Sequence, residues 1–112
     1  MENLVVGVAR FALRMSSNRS LKEKRQVVQR VRDRLRARHN VSVSEIGEQD
    51  EHRRAVMALG MVGSDAGHVR SSLQKMLDNI EELHLAPMVE RKVLVETWGD
   101  ELALSGFDVQ DL

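Results

Sequence analysis

The chain has 112 residues, 42% apolar and 30% charged, a size and balance that fit one domain folded about a single core. It contains no cysteine, which excludes disulfides, thiolate zinc sites, cysteine-ligated iron–sulfur clusters and a cysteine nucleophile. Its net charge of zero hides a split: residues 1–44 hold eleven Lys/Arg against three Asp/Glu, and residues 45–112 hold six against fourteen. A net of +8 therefore faces a net of −8, which points either to an anionic partner for the basic part or to self-neutralisation in the fold. Aromatic residues are only Phe11, Trp98 and Phe107, so the core is expected to be aliphatic and methionine-filled. No apolar run reaches the ~18 residues a membrane helix needs, and residues 1–8 carry no basic stretch ahead of their apolar one. No membrane segment and no secretory leader are expected, and a cytoplasmic location follows.

Residues 4–14 read as a strand, with Gly7, Ala9, Phe11 and Leu13 on one face and Val6, Val8, Arg10, Ala12 and Arg14 on the other. After a polar loop at 15–19, Ser20 and Glu23 have the spacing of a capping box. A helix is predicted over about 21–39. At ~100° per residue its apolar stripe runs through Leu21, Val28, Val31 and Leu35, with Val27 at the margin. Asn40 is the expected C-terminal stop, and Arg36, Arg38 and His39 suit the negative helix end. Residues 41–47 open on Val-Ser-Val-Ser and read as a half-buried edge strand. A charged turn covers 48–52. Residues 53–63 form a third strand, apolar on both faces. Ser64-Asp65 starts a second helix over about 66–83, with the stripe Val69, Leu73, Met76, Leu77, Ile80 and Leu83. Pro87 breaks the chain, and 91–98 is a fourth strand. Residues 1–98 thus read as one domain, and 99–112 as an acidic C-terminal tail.

The order strand, helix, strand, strand, helix, strand predicts an α+β fold: the ferredoxin-like split β-α-β architecture. It has a four-stranded antiparallel sheet with two helices on one face. The first and third strands would be central. Both look apolar on both faces, whereas a sheet covered on one side should alternate. The second face therefore needs a cover, and a second copy of the chain is the expected one. Val6, Val8, Val56, Ala58 and Val62 would line that homodimer interface, with Leu94 or Trp98 beside them. The tail, through Leu102, Leu104 and Phe107, is the competing cover.

The predicted first helix is the chemical centre of the sequence. From Arg19 to His39 there are nine Lys/Arg, seven of them arginine, and only Glu23 and Asp33 as acids. One flank of the stripe holds Lys22, Arg25, Arg32 and Arg36, and the other holds Arg30 and Arg34. Arginine forks onto phosphate better than lysine, and a helix of ~20 residues, ~30 Å long, can track several phosphates. A solvated surface normally interleaves acids with its bases; this one scarcely does. Lys24 falls in the middle of the apolar stripe. It is expected to snorkel past the sheet end or to pair with Glu45 or Asp50.

Other chemistry is weakly represented. His39, His52, His68 and His84 have no ligand-like spacing, so no metal site is expected, and surface or cap roles are. No glycine-rich phosphate loop follows a strand, and no Ser-His-Asp order stands out. No catalytic residue and no cofactor are expected. Base stacking on the sheet face needs exposed aromatics, where these strands carry Val, Ala and Met.

Val5-Val6-Gly7-Val8 followed by Ser20-Leu21-Lys22-Glu23-Lys24-Arg25 resembles the opening of the YlxP-like bacterial family, a domain of unknown function. The resemblance continues through Asn40-Val41-Ser42-Val43-Ser44-Glu45, Gln49-Asp50, Arg54-Ala55, Ser64-Asp65 and His68-Val69, and covers about 4–98. Glu51-His52-Arg53 departs from it, where an apolar or aromatic residue is expected. The resemblance implies a small cytoplasmic protein with a ferredoxin-like fold. It also implies a link to RNA or the ribosome, because genes of this family often neighbour those for transcription elongation, translation initiation and ribosome maturation. It brings no active site; Lys22, Lys24 and Arg25 are the basic members of its most recognisable motif. The expected function is a non-enzymatic, homodimeric RNA- or ribosome-associated accessory protein. The alternatives are a module that binds an acidic protein partner, and a small-molecule site at the dimer interface near Lys24 and Asp50.

Overall fold

A computed structural model gives the elements in the predicted order: β1 (Leu4–Arg14), α1 (Leu21–Arg38), β2 (Ser42–Gly47), β3 (Arg54–Gly63), α2 (Ala66–Glu82) and β4 (Met88–Trp98). It describes residues 3–16, 18–47 and 51–99. The strands form one antiparallel sheet in the order β2-β3-β1-β4, so β1 and β3 are central. This is the ferredoxin-like arrangement. The expected tail contacts of Leu102, Leu104 and Phe107 lie outside the described residues.

The period-two alternation of β1 decides which face the helices take. Val5, Ala9, Phe11 and Leu13 are buried on the helix side, with Ala55, Met57 and Leu59 of β3 and Val43 of β2. Helix α1 adds Val27, Val28, Val31 and Leu35, and packs over β2 and β3. Helix α2 adds Val69, Leu73, Met76, Leu77 and Ile80, and packs over β1, β4 and β3. The core is aliphatic apart from Phe11, with Met57 and Met76 filling it.

Element ends agree with the sequence reading to within a residue except at β4, and α1 ends on a different cap. Strand β4 begins at Met88 rather than residue 91. The Pro87 carbonyl already accepts the Arg14 N–H at 2.9 Å, so the chain lies along β1 from Pro87 onward. The register then shifts between Ala12 and Leu13, leaving Val89 as the extra residue of a bulge. That bulge breaks the alternation by which residues 88–90 would have been read as strand. Helix α1 ends one residue earlier than predicted, and the cap is His39, not Asn40. His39 turns extended (φ −138°) and donates its N–H to the Leu35 carbonyl at 2.8 Å.

Gly7 permits the close seat of α2 on β1. A Cβ there would stand on Val69 Cγ1 and 2.7 Å from Leu73 Cδ1, both in wholly buried side chains. Gly63, two residues along the neighbouring strand, faces Val69 Cγ2 in the same way at 2.8 Å. The helix thus rests on bare backbone where the central strands lie side by side. Gly7→Ala should therefore force α2 outward and cost about 1–3 kcal/mol by overpacking, read as a lower urea midpoint at unchanged slope.

Candidate nucleic-acid interface

The local chemistry of Ser20 starts α1. Its Oγ accepts the Glu23 N–H at 3.1 Å, and Glu23 Oε1 accepts the Ser20 N–H at 3.2 Å, so the predicted capping box is formed. At the other end Arg36 and Arg38 lie in the last turn, where cations meet the partial negative charge of the helix. The helix has 18 residues, ~27 Å of length at ~1.5 Å per residue.

Burial of Val27, Val28, Val31 and Leu35 turns the remaining faces outward. Lys22, Arg25, Arg30, Arg34, Arg36 and Arg38 are exposed, while Arg32 is half-buried. The two flanks named from the sequence are both present on the surface. Each acid of the helix is engaged locally. Glu23 closes the capping box, and Asp33 accepts from Gln29 Nε2 at 2.7 Å. Arg32 Nη1 lies 3.5 Å from Gln29 Oε1, and Arg32 Nε is buried without a hydrogen-bond partner. Among the described residues, no carboxylate lies within 4.0 Å of Lys22, Arg25, Arg30, Arg32, Arg34 or Arg36. Elsewhere some cations meet carboxylates and others, Lys92 among them, have none within 4.0 Å among the described residues. Arg91 of β4 reaches Asp78 of α2 at 2.8 Å and Glu81 at 3.5 Å.

Lys24 does not snorkel. Its side chain is wholly removed from solvent, the only buried charged residue among those described. Nζ stands 3.2 Å from Glu45 Oε2 and donates to the Glu51 main-chain carbonyl at 2.6 Å. The first turn of α1, β2 and the approach to β3 are tied at one point. The pair with Glu45 is the one expected from the sequence; Asp50 lies outside the described residues. Lys24 is on the helix side of the sheet, so it cannot serve a site between open faces. The Glu51 carboxylate is pulled down to about 2, because it accepts from the side chain and the backbone N–H of Arg53.

The open face of the sheet divides into an apolar half and a charged half. Val8, Val62 and Leu94 are exposed there, with Leu4 and Trp98 at the margin. Val6 and Ala58 are half-buried. Val56, expected in the same interface, is already only 3% exposed within its own chain, so it offers a second copy almost no surface. It lines a depression of about 260 Å³ with Arg10, Ile46, Gly47 and Arg54. Arg54 and Arg10 converge there on Glu90, at 2.8 and 3.5 Å. The sequence reading missed this cluster. Its signal was Arg10, a cation among the apolar residues on the open face of β1; the partner Glu90 lay between Pro87 and the predicted start of the fourth strand.

No group of three His, Asp or Glu among the described residues could hold a metal ion. No helix among them is long and apolar enough to cross a membrane. His39 is the C-cap of α1, whereas Leu83 is the C-cap of α2 and His84 follows it. His84 takes a left-handed conformation (φ 51°) just past α2 and donates its N–H to the Glu81 carbonyl.

Comparison with known proteins places this geometry among relatives. The family model described as "Protein of unknown function (DUF503)" matches residues 6–93. The uncharacterized protein YlxP of Bacillus subtilis (strain 168) is 37% identical over 79 residues, covering 70% of this chain and 83% of the relative. Among solved structures, the de novo designed protein Foldit4 is similar at 16% identity and a TM-score of 0.45, covering 88% of this chain and 99% of that one. A dimeric ferredoxin-like protein of unknown function from Thermobifida fusca YX is similar at 13% identity and a TM-score of 0.41, covering 83% and 92%.

Removing one partner of a buried ion pair leaves the other charge uncompensated. Glu45→Gln should therefore destabilise the fold by about 3 kcal/mol. Replacing both partners, as Lys24→Met with Glu45→Leu, should recover most of that loss. Urea unfolding of the three proteins decides it; equal midpoints for Glu45→Gln and the parent would show that the pair holds nothing.

Proposed function

This chain belongs to the DUF503 family of proteins of unknown function, and from that premise we propose that it is a cytoplasmic, non-enzymatic accessory protein that binds structured RNA through α1. One observation carries the reading. The six cations Lys22, Arg25, Arg30, Arg32, Arg34 and Arg36 have no carboxylate within 4.0 Å among the described residues, and the two acids of their helix are already engaged. Arginines without an internal carboxylate keep forked donors for phosphate oxygens. Contact through phosphates reads shape and charge rather than base sequence. The sheet supplies no stacking platform: Phe11 is wholly buried, and Trp98 stands at the rim of the open face. The family's gene neighbourhood, read with the resemblance, makes ribosomal RNA the first ligand to try.

A polyanion contact of this kind releases counterions, so its affinity falls steeply with salt. Arg25→Ala, Arg32→Ala and Arg36→Ala together should weaken association with ribosomes or structured RNA by more than ~10-fold. The triple change should also lower the log–log salt slope by about 2–3. Co-sedimentation across a salt series measures both quantities. Binding lost with an unchanged slope, or binding to an acidic protein alone, would overturn the RNA reading.

The same reading takes a second copy as cover for the apolar half of the open face, where Val6, Val8, Ala58 and Val62 lie with Leu94 and Trp98. An exposed apolar patch of this kind commonly marks an interaction surface. A charge at its centre, Ala58→Glu, should break the face-to-face contact and halve the mass seen by light scattering, with circular dichroism confirming that the variant folds. An unchanged mass would remove the face from consideration.

A further inference from the structure

The two edges of the sheet differ. Strand β2 is six residues long and its register shifts between Glu45 and Gly47, so that edge is short and kinked. Such features block strand addition. Among the described residues, strand β4 pairs only with β1 and runs in unbroken register from Glu90 to Trp98, the bulge at Val89 ending that run. Its outer edge is a regular nine-residue ladder of backbone groups. From the side chains on that ladder we infer that β4 pairs antiparallel with β4 of a second copy, about a two-fold axis at Leu94.

A two-fold axis normal to the sheet sets each residue opposite one of the same face. Centred at Leu94, it spans residues 90–98, the whole regular segment. On the open face Lys92 then meets Glu96 of the second copy twice, and Leu94 meets its own copy. On the helix side Val93 meets Val95 twice, and Arg91 meets Thr97. Moving the axis to Val93 sets Glu90 against Glu96 twice, and moving it to Lys92 sets lysine on lysine. Like charges directly opposite oppose pairing. The Leu94 register alone satisfies both charges.

Within one chain those charges have no such outlet. The cross-strand neighbour of Lys92 is Arg10, which turns to Glu90 at 3.5 Å, and that of Glu96 is Val6. Neither Lys92 nor Glu96 has an ion pair among the described residues, and both are exposed. Leu94, between them, is 53% exposed.

The product is a continuous eight-stranded sheet with all four helices on one side. Each α1 lies over β2 and β3, about three strands from the axis. At ~4.8 Å per strand the two basic helices stand roughly 30 Å apart on the same side. Face-to-face packing would put them on opposite sides. Presentation of both helices to one polyanion, with the avidity that brings, rests on the RNA reading; the edge contact does not.

Self-association alone tests the contact. The parent protein should have twice the mass of Lys92→Glu by sedimentation equilibrium, because that change sets glutamate against Glu96 at both pairs. Adding Glu96→Lys exchanges the two signs and should restore the parent mass, which a misfolded single variant could not do. The chain has no cysteine, so Leu94→Cys offers one thiol that should join its own copy as a disulfide-linked dimer under mild oxidation. Ile46→Cys, similarly exposed but on β2, should not. A monomeric parent, a Lys92→Glu variant of parent mass, a double exchange that fails to restore it, or linkage through Ile46→Cys instead would each overturn the edge contact.

Discussion

A lysine ammonium with no access to water must be met by an anion within the fold, and the position of α1 follows from how this chain meets it. Lys24 sits at the centre of the helix's apolar stripe, with Glu45 of β2 and the Glu51 carbonyl closing around its Nζ. The three elements cannot slide past one another without exposing an unpaired charge to the core, which is costly. The rotation of α1 about its own axis is fixed in the same way. With Lys24, Val28, Val31 and Leu35 turned inward, Lys22, Arg25 and Arg36 on one side and Arg30 and Arg34 on the other have nowhere to point but outward. The helix motif that carries the family resemblance therefore holds a structural cation and two surface cations within four residues. The inward lysine orients the outward ones.

The charge split along the chain has a structural counterpart. Among the described residues, the acids of the second half meet the basic helix only at the buried Lys24, through Glu45; the other paired ones serve cations outside that helix. Asp78 and Glu81 hold Arg91, and Glu90 gathers Arg10 and Arg54. Helix α1 lies over β2 and β3, away from β4 and its acids. Among the described residues the surface is therefore polarised. The zero total says little about partners, because a phosphate backbone responds to the local field rather than to the sum.

The sheet has three kinds of surface, each under a different constraint. The helix side is closed by α1 and α2, the second seated on Gly7 and Gly63. The open side is closed in part by its own chain, since Val56 and Ala12 are buried there without help. The edges are unequal: β2 is blunted by length and irregularity, and β4 is regular. Two strands apolar on both faces thus need less outside cover than their composition implies, and the apolar half about Val8, Val62 and Leu94 is what is left over.

Most of the fold is legible in the sequence because it rests on short-range physics. Period-two geometry sorted the residues of β1 and β3 onto two faces, a capping box marked the start of α1, and one apolar stripe per helix marked the side that each buries. The six cations of the candidate interface were legible for the same reason: helical spacing sorts residues onto faces without any knowledge of the rest of the chain. What the sequence could not show were events between distant segments. Full burial of Lys24 depends on Glu45 and Glu51 arriving from β2 and the chain beyond it. The burial of Val56, the cluster about Glu90 and the early start of β4 depend on pairing with β1 and on a bulge that hides the alternation. The complementarity of the β4 edge needs the register of that strand, which only the sheet supplies. Local periodicity decides where a side chain points; the tertiary structure decides what it meets there.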